Sequence, residues 1–173
     1  MKNIRIILAA LFVAVLSSCS AVSKMDSAGD PAMDALVDDA VNAHDFSIEV
    51  DYIIPMRGPG RMTSDGYRLT VKDGKATSYL PFFGVSHGVA GAYGIEPAGI
   101  EFKDYPVKID DSKSKPEKGK YVYNFVAKSG SERVVVDVTF WDNGSAQISC
   151  KPENRSAMSY SGTLTKLPEP RRK

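Results

Sequence analysis

The chain predicts a mainly β domain of the α+β class, an antiparallel up-and-down meander of about eight strands curling into a barrel or half-barrel behind one N-terminal amphipathic helix. Three observations carry this. Apolar residues recur with a period of two through most of residues 46–166, as in strands with one buried face. Short turn signals, among them Asp73-Gly74, Ser129-Gly130 and Asn143-Gly144, separate the alternating runs. Helical spacing appears once, just after residue 30, so neighbouring strands must pair with each other rather than through crossover helices.

Asp30-Pro31 opens the helix, with Asp as N-cap and Pro at the first helical position, where its missing N–H costs nothing. Leu36, Val37, Ala40, Val41 and His44 then share one face, while Asp34, Asp38, Asp39 and Asn42 fill the solvated one. In the first strand Phe46, Ile48, Val50, Tyr52 and Ile54 alternate with Ser47, Glu49, Asp51 and Ile53, which predicts that the first five face the core. Residues 55–60, with two prolines and two glycines, break it. Residues 67–72 and 76–83 flank Asp73-Gly74 as a hairpin, and a glycine-rich loop over residues 84–98 follows. Residues 100–109 read as a strand marked by Pro106 as an edge or bulge, and residues 111–120 as a charged connection. Residues 121–127 and 133–141 form another pair, residues 145–151 follow Asn143-Gly144, and residues 156–166 make the last strand. The ending Pro168-Glu169-Pro170-Arg171-Arg172-Lys173 is a disordered basic tail, with anionic head groups as a second reading for its three cations.

The N-terminus reads as an export signal. Lys2 and Arg5 precede an uncharged run over residues 6–16, too short to span a bilayer, and Leu16-Ser17-Ser18-Cys19 follows. That motif resembles the lipobox of bacterial lipoproteins, which implies cleavage before Cys19 and acylation of its thiol. The domain layout is then a signal peptide at 1–18, a flexible tether at 19–30, one β-rich domain at 31–167 and the tail at 168–173. Two or three acyl chains anchor a protein durably without a membrane-spanning helix. Ser20 in place of Asp after the Cys points to the outer membrane, and Ser20-Ala21-Val22-Ser23-Lys24 lacks the acidic run of surface-exported lipoproteins, which points to its periplasmic face. Asp26-Ser27-Ala28 is similar to a short glycosylation signal, with coincidence as the plainer reading. Removing Lys2 and Arg5 leaves 20 of the 22 basic residues against 21 acidic ones. A nucleic-acid partner, which needs a concentrated basic face, is excluded on that balance. With Cys19 lipidated, Cys150 has no partner for an internal disulfide.

No pattern calls for a metal or other cofactor. The two His, His44 and His87, belong to no ligand cluster, and the glycines of residues 84–99 fit no phosphate-binding loop. Ser86, His87 and Asp104 could be drawn as a nucleophile, base and orienter, but adjacent Ser and His rarely face each other. Glu96 and Glu101 could be drawn as an acid and base pair; solvated surface acids are the commoner case. The chain is therefore read as a non-enzyme.

Two stretches carry a resemblance. Tyr79-Leu80-Pro81-Phe82-Phe83-Gly84 leading to Gly99-Ile100-Glu101-Phe102, and Asn143-Gly144-Ser145-Ala146 leading to Asn154-Arg155-Ser156 and Tyr160-Ser161-Gly162, resemble the domain-of-unknown-function 4251 family of gut-bacterial lipoproteins over residues 43–166. The resemblance implies export and a lipid anchor, and no activity. Val85 stands where a basic residue often follows the glycine, and Gly94-Ile95-Glu96-Pro97 replaces a denser glycine run. Within these words Tyr79, Phe82, Phe83, Tyr93 and Phe102 are candidates for a surface that takes a small apolar or sugar ligand or an envelope protein, or else they are core. Arg155 is either a clamp for a carboxylate or phosphate or an internal fastener that fixes a turn through its carbonyls. The functional expectation is an outer-membrane lipoprotein that binds a ligand or protein without catalysis; the alternative is a lipid or lipoprotein carrier of half-barrel type, which needs an open interior.

Overall fold

The computed structural model describes residues 30–63, 66–85 and 99–169. The signal peptide, Cys19, the tether as far as residue 29, most of the glycine-rich loop with Tyr93, and residues 170–173 lie outside the described residues. Helix α1 covers Pro31–Ala43 and begins as its cap dictates, with the Asp30 carboxylate accepting the Ala32 N–H at 3.0 Å. It ends at His44, whose φ of 55° is left-handed.

Nine antiparallel strands follow: β1 Phe46–Pro55, β2 Arg61–Met62, β3 Arg68–Lys72, β4 Lys75–Leu80, β5 Ile100–Pro106, β6 Lys120–Ser129, β7 Glu132–Trp141, β8 Ser145–Pro152 and β9 Met158–Thr165. They form one sheet in the order β5-β4-β3-β1-β9-β8-β7-β6, with β2 paired to β1 beside that path. The sheet curls until its outer strands nearly meet, and two contacts hold the seam. The Ser129 hydroxyl accepts the Glu101 N–H at 3.1 Å and donates to the Gly99 carbonyl, while Asp110 and Asn124 exchange both backbone hydrogen bonds at 2.8 Å. This is a nearly closed barrel.

Several details depart from the sequence expectation, among them the end of β4 at Leu80, where the sequence predicts a strand over residues 76–83. The ninth strand, β2, is two residues long, too short to show a period. β5 ends at Pro106, and the connection after it contains the Asp110 bridge and a 3₁₀ turn at Pro116–Lys118. In β1 the register against β9 shifts between Val50 and Tyr52, so Ile53 is buried and Ile54 is 37% exposed, the reverse of the predicted phase. A bulge adds one residue, and the side-chain period of two then puts every later residue on the other face.

The inward residues fill the barrel. Phe46, Tyr123 and Phe140 meet with ring centroids 5.4–5.9 Å apart, and Leu69, Val71, Ile148, Met158 and Tyr160 are fully buried in the same core. Each such side chain contributes roughly 1.5–3 kcal/mol by leaving water. Helix α1 closes one end, laying Val37 and Ala40 on the core while the Tyr123 hydroxyl donates to the Ala40 carbonyl at 3.3 Å. Burial pushes the Tyr123 hydroxyl from 10.0 to about 12, with Asp111 adding to the rise. The folded state therefore holds this proton where the unfolded state has lost it. The stabilisation is complete below pH 10 and disappears as pH climbs towards 12. Urea midpoints measured across that window are expected to fall, and to fall less in Tyr123→Phe; an equal fall in both would refute the assignment.

Candidate functional site

The end of the barrel away from α1 is built by the two sequence words already singled out. β4 stops at Leu80 because Pro81 has no N–H to continue the ladder. The freed Pro81 carbonyl accepts the hydroxyl of Tyr160, which reaches across from β9 at 2.7 Å. Burial, with a lesser push from Cys150, holds that hydroxyl well above the usual phenol range, so it stays a donor. The Cys150 thiol beside it is free, buried and raised to about 12, chiefly by burial. A thiol so held is inert.

Beyond Pro81 the chain is fastened to the β8–β9 turn. Phe82 turns inward, 7% exposed, beneath the Arg155 guanidinium at 4.6 Å from its ring centre. Arg155 Nε donates to Glu132 Oε2 at 2.7 Å, and Glu132 Oε1 accepts the Asn154 N–H at 2.8 Å. Val85 and Ser156 then bracket the loop, the Val85 N–H donating to the Ser156 hydroxyl and the Ser156 N–H to the Val85 carbonyl, both at 2.9 Å. Between them Gly84 passes so close to Ser156 and the Phe82 ring that any side chain there would displace one of them. Val85 is itself part of this fastening.

What remains outside is a groove of about 230 Å³ lined by Met56, Arg57, Phe83, Gly84, Val85 and Ser156. Phe83 is 43% exposed, with the Arg61 guanidinium 4.4 Å from its ring centre. Seven large apolar side chains are exposed among the described residues; three of them, Met56, Phe83 and Val85, line this groove, and Ile54 and Met62 lie on the β1–β2 hairpin that carries Met56. Such clustering marks a contact surface more than scattered exposure does.

The predicted site residues therefore divide. Phe82 and Phe102 are core, Phe83 is on the groove wall, and Tyr79 is exposed on the outer face of β4 against Tyr67, ring centres 5.5 Å apart. Arg155 engages the chain's own carboxylate, so the turn is held through Glu132. Cys19 and Tyr93 lie outside the described residues, as do Ser86, His87 and Glu96. Of the remaining residues weighed for chemistry, His44 sits at the opposite end, 3.3 Å from Asp111, and the Asp104 N–H donates to the Thr77 hydroxyl. Among the described residues no group of three metal-ligating side chains converges, and no helix is long and apolar enough to cross a membrane.

Sequence reasoning missed Met56, Arg57, Arg61, Glu132 and Ser156. The one available signal was Pro55-Met56-Arg57-Gly58-Pro59-Gly60, a loop stiffened by two prolines that carries an apolar and a cationic residue to the surface.

A family model, Domain of unknown function (DUF4251), matches residues 32–164. The fold is similar to the crystal structure of a DUF4251 family protein from Bacteroides eggerthii DSM 20697, with a TM-score of 0.53 at 19% identity, covering 77% of this chain and 87% of that one. No curated protein matches. With its match running from helix α1 into the last strand, the chain belongs to the DUF4251 family.

Proposed function

We propose that this chain is an exported lipoprotein of the outer membrane, held at the periplasmic face by acyl chains on Cys19, and that its barrel binds a small ligand or an envelope protein without catalysing a reaction. Leu16-Ser17-Ser18-Cys19 supports the anchor. The observation that carries the binding role is the gathering of three exposed apolar side chains, Met56, Phe83 and Val85, in one groove, at an end whose loop is tied down by Tyr160, Arg155 and Ser156. A surface fixed in advance loses little freedom when it is occupied.

The second reading is a carrier for acyl chains. Its support is a groove of about 280 Å³ between α1 and β9, lined in part by Leu36, Phe46, Leu164 and Leu167. The close packing of Phe46, Tyr123 and Phe140 beneath α1 favours the first reading over it.

Cells grown with labelled palmitate are expected to label the wild-type chain and leave Cys19→Ala unlabelled and released from alkaline-washed membranes. An unlabelled wild-type chain, or a Cys19→Ala chain that still sediments, would overturn the anchor. The chain purified in mild detergent is expected to carry no stoichiometric lipid beyond the anchor; a bound, non-covalent lipid would favour the carrier.

A further inference from the structure

The groove end has a charge as well as a shape. Arg57 is exposed and lines the groove, Arg61 lies over Phe83, and neither forms an ion pair among the described residues. Among the described residues that line it there is no Asp or Glu. Methionine, phenylalanine and arginine together are the side chains that anchor protein partners, the first two by adaptable or rigid apolar area and the last by bidentate contact with carboxylates. A volume of about 230 Å³ is small for a drug-sized ligand, whose sites run from about 300 to 1,000 Å³, and suits one or two side chains of a partner.

The loop that presents Met56 and Arg57 is stiff. Pro55 and Pro59 restrict its backbone, and Gly60 packs so close to Tyr52 that a Cβ there would stand 2.6 Å from the phenol oxygen. The facing wall is held by the paired Val85 and Ser156 bonds.

The chain enters the barrel at the far end. Met33, in the first turn of α1, lies against Gly144 in the β7–β8 turn, at the end of the barrel opposite the groove. The groove is therefore clear of the point where the proposed tether joins the domain.

On the surface-binding reading above, we infer that the end formed by Met56, Arg57, Arg61, Phe83 and Val85 docks an acidic, apolar segment of another envelope protein, with a carboxylate on the guanidinium groups and an apolar side chain in the groove.

A selection from random twelve-residue peptides on the full chain in detergent micelles tests this. Peptides that pair Asp or Glu with an aromatic or branched side chain are expected to be enriched. Their affinity is expected to fall at least tenfold in Arg57→Glu and in Phe83→Ser, and to hold in Lys72→Glu on the outer face of β3. Enrichment without acidic residues, or equal binding by Arg57→Glu, would overturn the inference. A nitroxide on Met62→Cys, in the full chain reconstituted into phosphatidylethanolamine and phosphatidylglycerol vesicles, is expected to be reached by a water-soluble nickel quencher. Protection from nickel with access to oxygen would make the bilayer the occupant and overturn it as well. A chain that takes up labelled palmitate but selects no acidic peptide loses this inference alone, whereas an unlabelled chain with Arg57-dependent peptide binding loses only its anchor.

Discussion

Glu132→Ala is expected to lower the stability of the folded chain by about 3–5 kcal/mol, the usual cost of breaking a buried ion pair from one side. The two side chains are 13% and 10% exposed, so the Arg155 guanidinium would be left with little water to replace its carboxylate. The same substitution removes the acceptor of the Asn154 N–H. The pair is a fastener whose net contribution need not be large, because burying two charges costs nearly what their attraction returns. The double variant Glu132→Leu with Arg155→Met is accordingly expected to lose less than Glu132→Ala alone. Urea unfolding followed by Trp141 fluorescence compares the wild type, Glu132→Ala and the double variant. A double variant that loses as much as Glu132→Ala or more would contradict the pairing described.

Gly162→Ala is expected to cost about 3 kcal/mol, at the upper end of what overpacking usually costs. Gly162 faces Val50 where the β1 bulge brings the two strands together, and an added Cβ would strike the Glu49 carbonyl and lie 3.0 Å from the Val50 Cα. Backbone atoms cannot rotate aside, so β1 must shift. Gly130→Ala is the control: its φ of 62° carries the usual strain of a left-handed residue, but nothing lies within 4 Å of the new Cβ. It is expected to cost only about 1 kcal/mol. Equal losses at the two positions would remove close packing as the reason for a glycine at 162.

These two effects show what a sequence can and cannot reveal here. The start of α1 was legible because Asp30 and Pro31 act on their own neighbours. The β3–β4 turn was legible for the same reason, with Asp73 at φ 50° and Gly74 at 69°. The bulge in β1 was not, since it answers to Gly162, far along the chain, while the local pattern continues as though the strand were regular. The sequence places Phe82 and Phe83 at the end of a strand over residues 76–83, but β4 stops at Leu80 before Pro81, and the alternation that assigns faces stops with it. Their split is decided by Arg155 over one ring and Arg61 over the other. Arg155 stood out in the sequence, but its partner Glu132 is 23 residues away, on a neighbouring hairpin, and no spacing rule points to it.

The family words acquire a physical meaning from this. Tyr79-Leu80-Pro81-Phe82-Phe83-Gly84 and the later Asn154-Arg155-Ser156 and Tyr160-Ser161-Gly162 meet at one end of the barrel. Tyr160 holds Pro81, Arg155 covers Phe82, and Ser156 brackets Val85. Their joint effect is to set the wall on which Phe83 is displayed beside Met56 and Arg57.

That end is the proposed docking site for a partner, and site-specific photocrosslinking in living cells tests the proposal most directly. With benzoylphenylalanine at Met62, 77% exposed at the groove end, illumination is expected to give a discrete protein adduct that is absent with the same label at Lys72 on the outer face of β3. No adduct at Met62, or the same adducts at both positions, would contradict the account.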